Sequence, residues 1–402
     1  MAHFSLSDVK RVPRSTCSVR CLLFDPRIDR RRIGRRAILS PLPQQNCLRY
    51  IGTKPVVHVN VKDISHLTQL IIMKIVRLAI AAITALRSAL DGQQSNVPAD
   101  ISGPSGRPAP TGTADTSTKR QREYNPNRLD ILDFTPHLGD DEPHTVLSDY
   151  TVHQRVDMVA NYTNGLRTFT CYNGGSSIRY AHSIGLYTVA GAWIDTRADK
   201  AQKEMDCIIS LAKEGVVDLA SIGSEALTWG GLTAEQIVAY VELFRMEVPD
   251  VPVTTALKYE AMTNEWNQQI IVPAVDLLYV NFYPYWSGFH IDQALLVHQY
   301  EFKEMEKVAN GKDVWISETG WPSKGSCWNG YAEPSEANQE RFLFEVMNWT
   351  RSEGIVLSWF DAFEQPWKNG NEYCSVASHW GIFESNGDIK PGPARAFEHI
   401  DD

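Results

Sequence analysis

Asp313-Val-Trp-Ile-Ser-Glu318-Thr-Gly-Trp-Pro-Ser-Lys-Gly325 is the stretch on which the fold turns. A short apolar run reads as a strand, delivers one carboxylate, Glu318, to its end, and gives way at once to a Thr-Gly-Trp-Pro turn. An acid at the mouth of a buried strand loses several kcal/mol of solvation unless it is partnered or put to use. The C-terminal ends of parallel barrel strands are where such groups are found.

Working outward from this segment, apolar runs recur from about Tyr124 onward and alternate with helical stretches, the rhythm of βα units. Eight runs are predicted as strands, over residues 129–136, 165–171, 187–193, 217–224, 251–258, 276–283, 313–317 and 355–360. Helix starts fall between them. Thr233 and Gln236 form a capping-box pattern ahead of Ile237, Val238 and Val241. Pro334-Ser335-Glu336 opens a helix whose apolar face carries Phe342, Val346 and Trp349. Eight βα beats in this span predict an α/β protein, a single (β/α)8 TIM barrel over residues 122–402. An open doubly wound sheet would want a glycine-rich phosphate loop after its first strand, and Thr135-Pro-His-Leu-Gly139 is not one.

The remainder of the 402 residues reads differently. Residues 1–72 form a basic, low-order leader: residues 1–50 carry ten Arg and one Lys against three Asp. Because the whole chain has a net charge of -9, the rest is strongly acidic, which argues against nucleic acid as a partner. Residues 73–90 hold Met73-Lys-Ile-Val-Arg77 and then a run of nine residues, Leu78 to Leu86, apolar but for Thr84. That pattern is either a secretory signal with its start at Met73 or an amphipathic helix, and it is the one expected membrane contact. Residues 91–121, with Gly103-Pro-Ser-Gly106, Pro108 and Pro110, read as a linker.

On an eight-strand ring, strand 4 ends at Ser224-Glu225 and strand 7 at Ser317-Glu318, so the two glutamates face each other across the mouth. Retaining glycosidases place two carboxyls about 5–5.5 Å apart, one to attack the anomeric carbon and one to shuttle the proton. Ile222, Ala226 and Leu227 surround Glu225 with apolar groups that would raise its pKa, as a proton donor requires. Arg167 lies within the apolar run Leu166-Arg-Thr-Phe and is expected to pair with a carboxylate near the site.

These motifs resemble those of family 17 glycoside hydrolases, the β-1,3-glucanases and glucanosyltransferases, over nearly all of residues 124–402. The Glu318-Thr-Gly-Trp-Pro segment is similar to the family's nucleophile signature, and Gly223-Ser-Glu-Ala-Leu227 to its Gly-Asn/Ser-Glu-x-Leu donor motif. The resemblance implies that Glu318 is the nucleophile and Glu225 the acid/base, with no metal or cofactor and with β-glucan as the partner. Asn281-Phe-Tyr283-Pro-Tyr285-Trp286 is similar to the family's Asn-x-Tyr/His-Pro-Tyr/Phe. It makes Tyr283 the expected hydrogen-bond donor to the nucleophile, supported by Asn281. Ser224, in place of the commoner Asn, would reach a sugar hydroxyl. Trp193, Trp286 and Trp321 fit either sugar platforms or barrel core.

Strand 8 departs from the pattern. Trp359-Phe-Asp-Ala-Phe-Glu-Gln-Pro-Trp-Lys368 resembles a fungal and bacterial Phe-Asp-Glu-Pro-Trp-Lys segment, with Gln365 in place of the Glu. In Val376-Ala-Ser-His-Trp-Gly381, Ala377 likewise replaces a Glu. Lys368 then loses counter-charges unless Glu364 or Glu372 takes over, and restoring an acid at Gln365 would tighten binding. Of seven cysteines, Cys327 and Cys374 fall on neighbouring loops and suit a disulfide, while Cys171 and Cys207 read as buried and free. No His pair or Cys-x-x-Cys suggests a metal site. Asn161-Tyr-Thr and Asn348-Trp-Thr are glycosylation sequons if the chain is exported. The expected activity is retaining hydrolysis of β-1,3-glucan by a secreted or wall-associated monomer. Glucanosyl transfer is the first alternative, and a weakened glucan-binding protein is the second.

Overall fold

The computed structural model describes residues 123–368 and 373–399, and further up only the backbone of Tyr50–Ile51 paired antiparallel with Lys54–Pro55. The expected leader, signal-like segment and linker otherwise lie outside the described residues, as does Glu372.

Eight parallel strands close into a barrel. They are β1 (Ile131–Asp133), β2 (Gly165–Arg167), β3 (Tyr187–Ala192), β4 (Leu219–Ser224), β5 (Val253–Lys258), β6 (Leu278–Asn281), β7 (Val314–Thr319) and β8 (Leu357–Trp359). Each pairs with the next in sequence, and β8 returns to β1 through Ser358 opposite Ile131. This is the TIM barrel expected from the sequence. Most strands are shorter than their apolar runs. β7 runs longer, so Glu318 lies within the strand.

The helices between the strands are α1 (Asp149–Val159), α2 (Cys171–Ser183), α3 (Ala198–Lys213), α4 (Ala234–Glu247), α5 (Tyr259–Met262), α6 (Glu265–Ala274), α7 (Ile291–Val308) and α8 (Glu336–Glu353), and α9 (Pro391–Glu398) follows β8. The capping box at Thr233 and Gln236 forms as its sequence predicts. Ser335 caps α8, which buries Phe342, Val346 and Trp349 against the barrel.

Two apolar regions hold the fold. The larger lies between strands and helices; the smaller fills the barrel interior with Ile131, Val189, Leu219, Ala256, Leu277 and Tyr279. Above that plug Tyr279 shares a 2.6 Å hydrogen bond with Ser358, and the interior turns polar. Two local irregularities aim the groups at the mouth. The β4–β5 register shifts between Ser221 and Ser224, and the β6–β7 register between Val280 and Asn281. Gly223 has φ 88° and Glu225 φ 51°, so the chain bends sharply as it leaves β4. A Cβ at Gly320 would lie 2.3 Å from the Phe360 carbonyl oxygen; only glycine lets β7 and β8 close behind Glu318.

Candidate active site

Arg167 organises the mouth of the barrel from within. Its side chain is 1% exposed and crosses the lumen from β2. Nη1 binds both Asp133 carboxylate oxygens at 3.2 and 3.1 Å and the Ser317 carbonyl at 2.6 Å. Nη2 reaches Glu318 Oε1 at 3.1 Å. The guanidinium also lies over the rings of Phe169 and Tyr279. The costly buried charge seen in the sequence is thus paired, as expected, and with two carboxylates. Asp133 went unnoticed, although an acid inside Ile131-Leu-Asp-Phe carried the same signal. Burial pushes its carboxyl well above the ordinary range despite Arg167.

Glu318 is 6% exposed and every side chain bound to it donates. Arg167 and Ser224, the latter at 3.1 Å, take Oε1, and Tyr283 Oη takes Oε2 at 3.0 Å. The Tyr283 ring is packed edge-on against Phe360 and Trp380, which fixes the direction of its hydroxyl. Burial, and then the Glu318 charge, push that hydroxyl well above its usual range, so it remains a donor.

Glu225 has a different environment. Asn281 Nδ2 donates to Oε1 at 2.8 Å, and Lys258 Nζ lies 3.5 Å from Oε2. Asn281 therefore serves this glutamate; its Oδ1 in turn accepts from the Ser317 hydroxyl. Burial is the largest influence on Glu225 and raises its pKa, and the Glu318 charge raises it further. Lys258, Asn281 and Trp229 act in the other direction. The sequence reading missed Lys258 and Trp229. A lysine closing the apolar run of β5 was the available signal.

At the end of β8, the Gln365 amide donates to Asp361, and the Ala362 N–H binds the other Asp361 oxygen at 2.7 Å. Burial pushes Asp361 up to about 7. Lys368 lies over the rings of Phe360 and Trp367, and burial lowers its pKa against the opposing pull of Asp361 and Glu318. Glu364 does not become its counter-charge. It binds Lys390 at 2.7 Å and His379 at 3.1 Å, away from Lys368, and those partners bring its carboxyl down to about 2 despite burial.

The aromatic candidates divide. Trp193 and Trp286 are 38% and 37% exposed and available as platforms, as is Trp229 at 65%. Trp321 is fully buried, its indole N–H donating to the Glu333 carbonyl at 2.8 Å, so it is core and no sugar platform. Its ring packs against Tyr285 and Phe342. The cysteine reading is also corrected: Cys171 and Cys207 form a disulfide joining the start of α2 to α3. Helix packing brings their Cα atoms to 5.8 Å, which two positions separated by 36 residues do not reveal. Cys327 is disulfide-bonded, whereas the side chain of Cys374 lies outside the described residues.

A closed parallel barrel presenting glutamates from β4 and β7 in two unlike environments defines a TIM-barrel glycoside hydrolase. A family model described as the BtgE/BtgC glycoside hydrolase domain matches residues 132–381, and the chain belongs to that family. Among relatives, a glucan 1,3-beta-glucosidase of Arthroderma benhamiae is 26% identical over 253 residues, 58% of this chain and 80% of that protein. One of Saccharomyces cerevisiae is 25% identical over 268 residues, 60% of this chain and 84% of that protein. A glycoside hydrolase family 17 beta-1,3-glucanosyltransferase from Rhizomucor miehei matches with TM-score 0.59 and 26% identity, covering 67% of this chain and 97% of its own. An endo-laminarinase from Formosa shares the fold, with TM-score 0.58 and 19% identity over 69% of this chain and 89% of its own.

Proposed function

We propose that this chain cleaves β-1,3-linked glucan with retention of configuration, Glu318 acting as nucleophile and Glu225 as acid/base. The observation that carries the reading is the asymmetry of the pair. Three donors converge on Glu318, leaving it an acceptor on both oxygens, whereas burial and the Glu318 charge favour the protonated form of Glu225. In the first step a Glu318 oxygen attacks the anomeric carbon, the glycosidic C–O bond breaks, and Glu225 gives its proton to the leaving oxygen. In the second, Glu225 takes a proton from an incoming hydroxyl, which attacks the same carbon and frees Glu318.

The names borne by the Arthroderma and Saccharomyces relatives support β-1,3-glucan as the substrate. Exposed Trp193, Trp229 and Trp286 suit stacking on sugar faces. Transfer to a second sugar is a further reading, favoured by the likeness to the Rhizomucor glucanosyltransferase. The Cys171–Cys207 disulfide supports an exported protein. Among the described residues, no helix is long and apolar enough to cross a membrane.

Trapping with a 2-fluoro glucoside followed by peptide mass spectrometry is the test. The label is expected on Glu318 and absent from Glu318→Gln, whose amide is a poor nucleophile. A label on another residue, or full turnover of laminarin-type oligosaccharides by Glu318→Gln, overturns the assignment.

A further inference from the structure

We infer that Lys258, clamped by Trp229, is a positioning residue that returns Glu225 to its carboxylate form for the second half of the reaction. This rests on the reading of Glu225 as acid/base. The geometry is local and specific. The Glu225 N–H donates to the Ala256 carbonyl at 2.9 Å, which places the glutamate beside the end of β5, where Lys258 is the last residue. Lys258 Nζ stands 3.5 Å from Glu225 Oε2 and 5.0 Å from the centre of the Trp229 ring. Trp229 is itself fixed to Glu225: its backbone N–H donates to the Glu225 carbonyl at 2.9 Å. The indole face thus holds the ammonium where it meets the glutamate.

The groups facing Glu225 come from several strands. β7 brings Glu318, β5 Lys258, and β6 Asn281 with Tyr283 just beyond; Arg167 of β2 reaches the neighbouring Ser224. Of these, Glu318 favours protonated Glu225, and Lys258 favours the ionised form. Before attack both act, and the glutamate can donate. Once Glu318 is esterified its charge is gone, while Lys258 keeps its own. Glu225 then ionises readily and can accept the proton of the incoming hydroxyl. Without the lysine, burial would weigh more heavily towards the protonated form of Glu225 in the second step, leaving Asn281 and Trp229 to oppose it.

The experiment compares pH profiles of wild type, Lys258→Met, Lys258→Arg and Trp229→Leu. It uses kcat/KM on a defined β-1,3-glucooligosaccharide, and kcat on an activated aryl β-glucoside, for which the second step limits. In Lys258→Met the basic limb of kcat/KM should move up by about 1–2 pH units, and the acid limb of kcat should rise with it. Lys258→Arg should lie near wild type, and Trp229→Leu should shift the same limbs by less in the same direction. Unmoved limbs in Lys258→Met, or an arginine variant displaced as far as the methionine one, would overturn the proposal. Azide rescue of Glu225→Ala checks the parent reading separately. Failed rescue overturns the role of Glu225, whereas intact rescue with unmoved limbs overturns only that of the lysine.

Discussion

The buried amide of Gln365 donates to the buried carboxyl of Asp361. Gln365 is therefore committed to a neighbour on its own loop. Asp361 and Glu318 supply the charges felt by Lys368. This reverses the expectation for Gln365→Glu that the sequence alone suggested. A second carboxyl against Asp361 cannot ionise freely, because two adjoining carboxyls share a proton. The new group has a folded pKa above its unfolded value, so its stability contribution is intact below the unfolded pKa and is lost as pH rises through the folded one. Gln365→Glu should lose roughly 2–4 kcal/mol at pH 8 and much less at pH 4.5. Urea denaturation at both pH values measures it. A gain in kcat/KM with unchanged stability would contradict this account.

Tyr283→Phe removes one of the three donors on Glu318 while keeping the ring that packs on Phe360 and Trp380. A hydrogen bond to a charged group is worth about 1.5–3 kcal/mol. The variant should remain folded and lose about 10–100-fold in kcat/KM. Equal activity in the two proteins would show that the tyrosine hydroxyl is incidental.

His298 is wholly buried among Phe282, Phe342 and Trp349, and burial brings its pKa down to about 3 from 6.5. A histidine kept neutral on folding contributes stability above its unfolded pKa, and this is lost as pH falls towards the folded one. The protein should lose about 2–3 kcal/mol from this group between pH 7 and pH 4.5. His298→Phe should flatten the acid side of the stability curve. An unchanged slope would show that other groups govern acid unfolding.

The Cys171–Cys207 bridge closes a separation of 36 residues. Reduction, or Cys207→Ser, should cost about 3–4 kcal/mol by loop-closure entropy. Denaturation with and without reductant, alongside thiol counting by mass spectrometry, is the measurement. A stable protein with two free thiols at these positions would remove the bridge from the account.

The sequence by itself determined the barrel and the pair at its mouth. Apolar runs separated by capped helices leave few ways to bury every strand, and Glu225 and Glu318 each follow such a run directly. Position along a strand is a local property, so β4 and β7 could be read without knowing what lies across the lumen. Contacts between distant strands were another matter. Arg167 could be seen to need a partner, yet only closure of the ring brought it to Asp133 and Glu318. Asn281, the last residue of β6, reaches Glu225 at a point where the β6–β7 register shifts, and no spacing rule records a bulge. Lys258, Trp229 and the Cys171–Cys207 pair depend on how neighbouring βα units pack. Trp321 and Trp286 share a residue type and a place beyond a strand, and loop packing alone buries one and leaves the other at the surface. Side-chain direction and helix phase are set by tertiary packing, and on these the choice of partner at each glutamate depends.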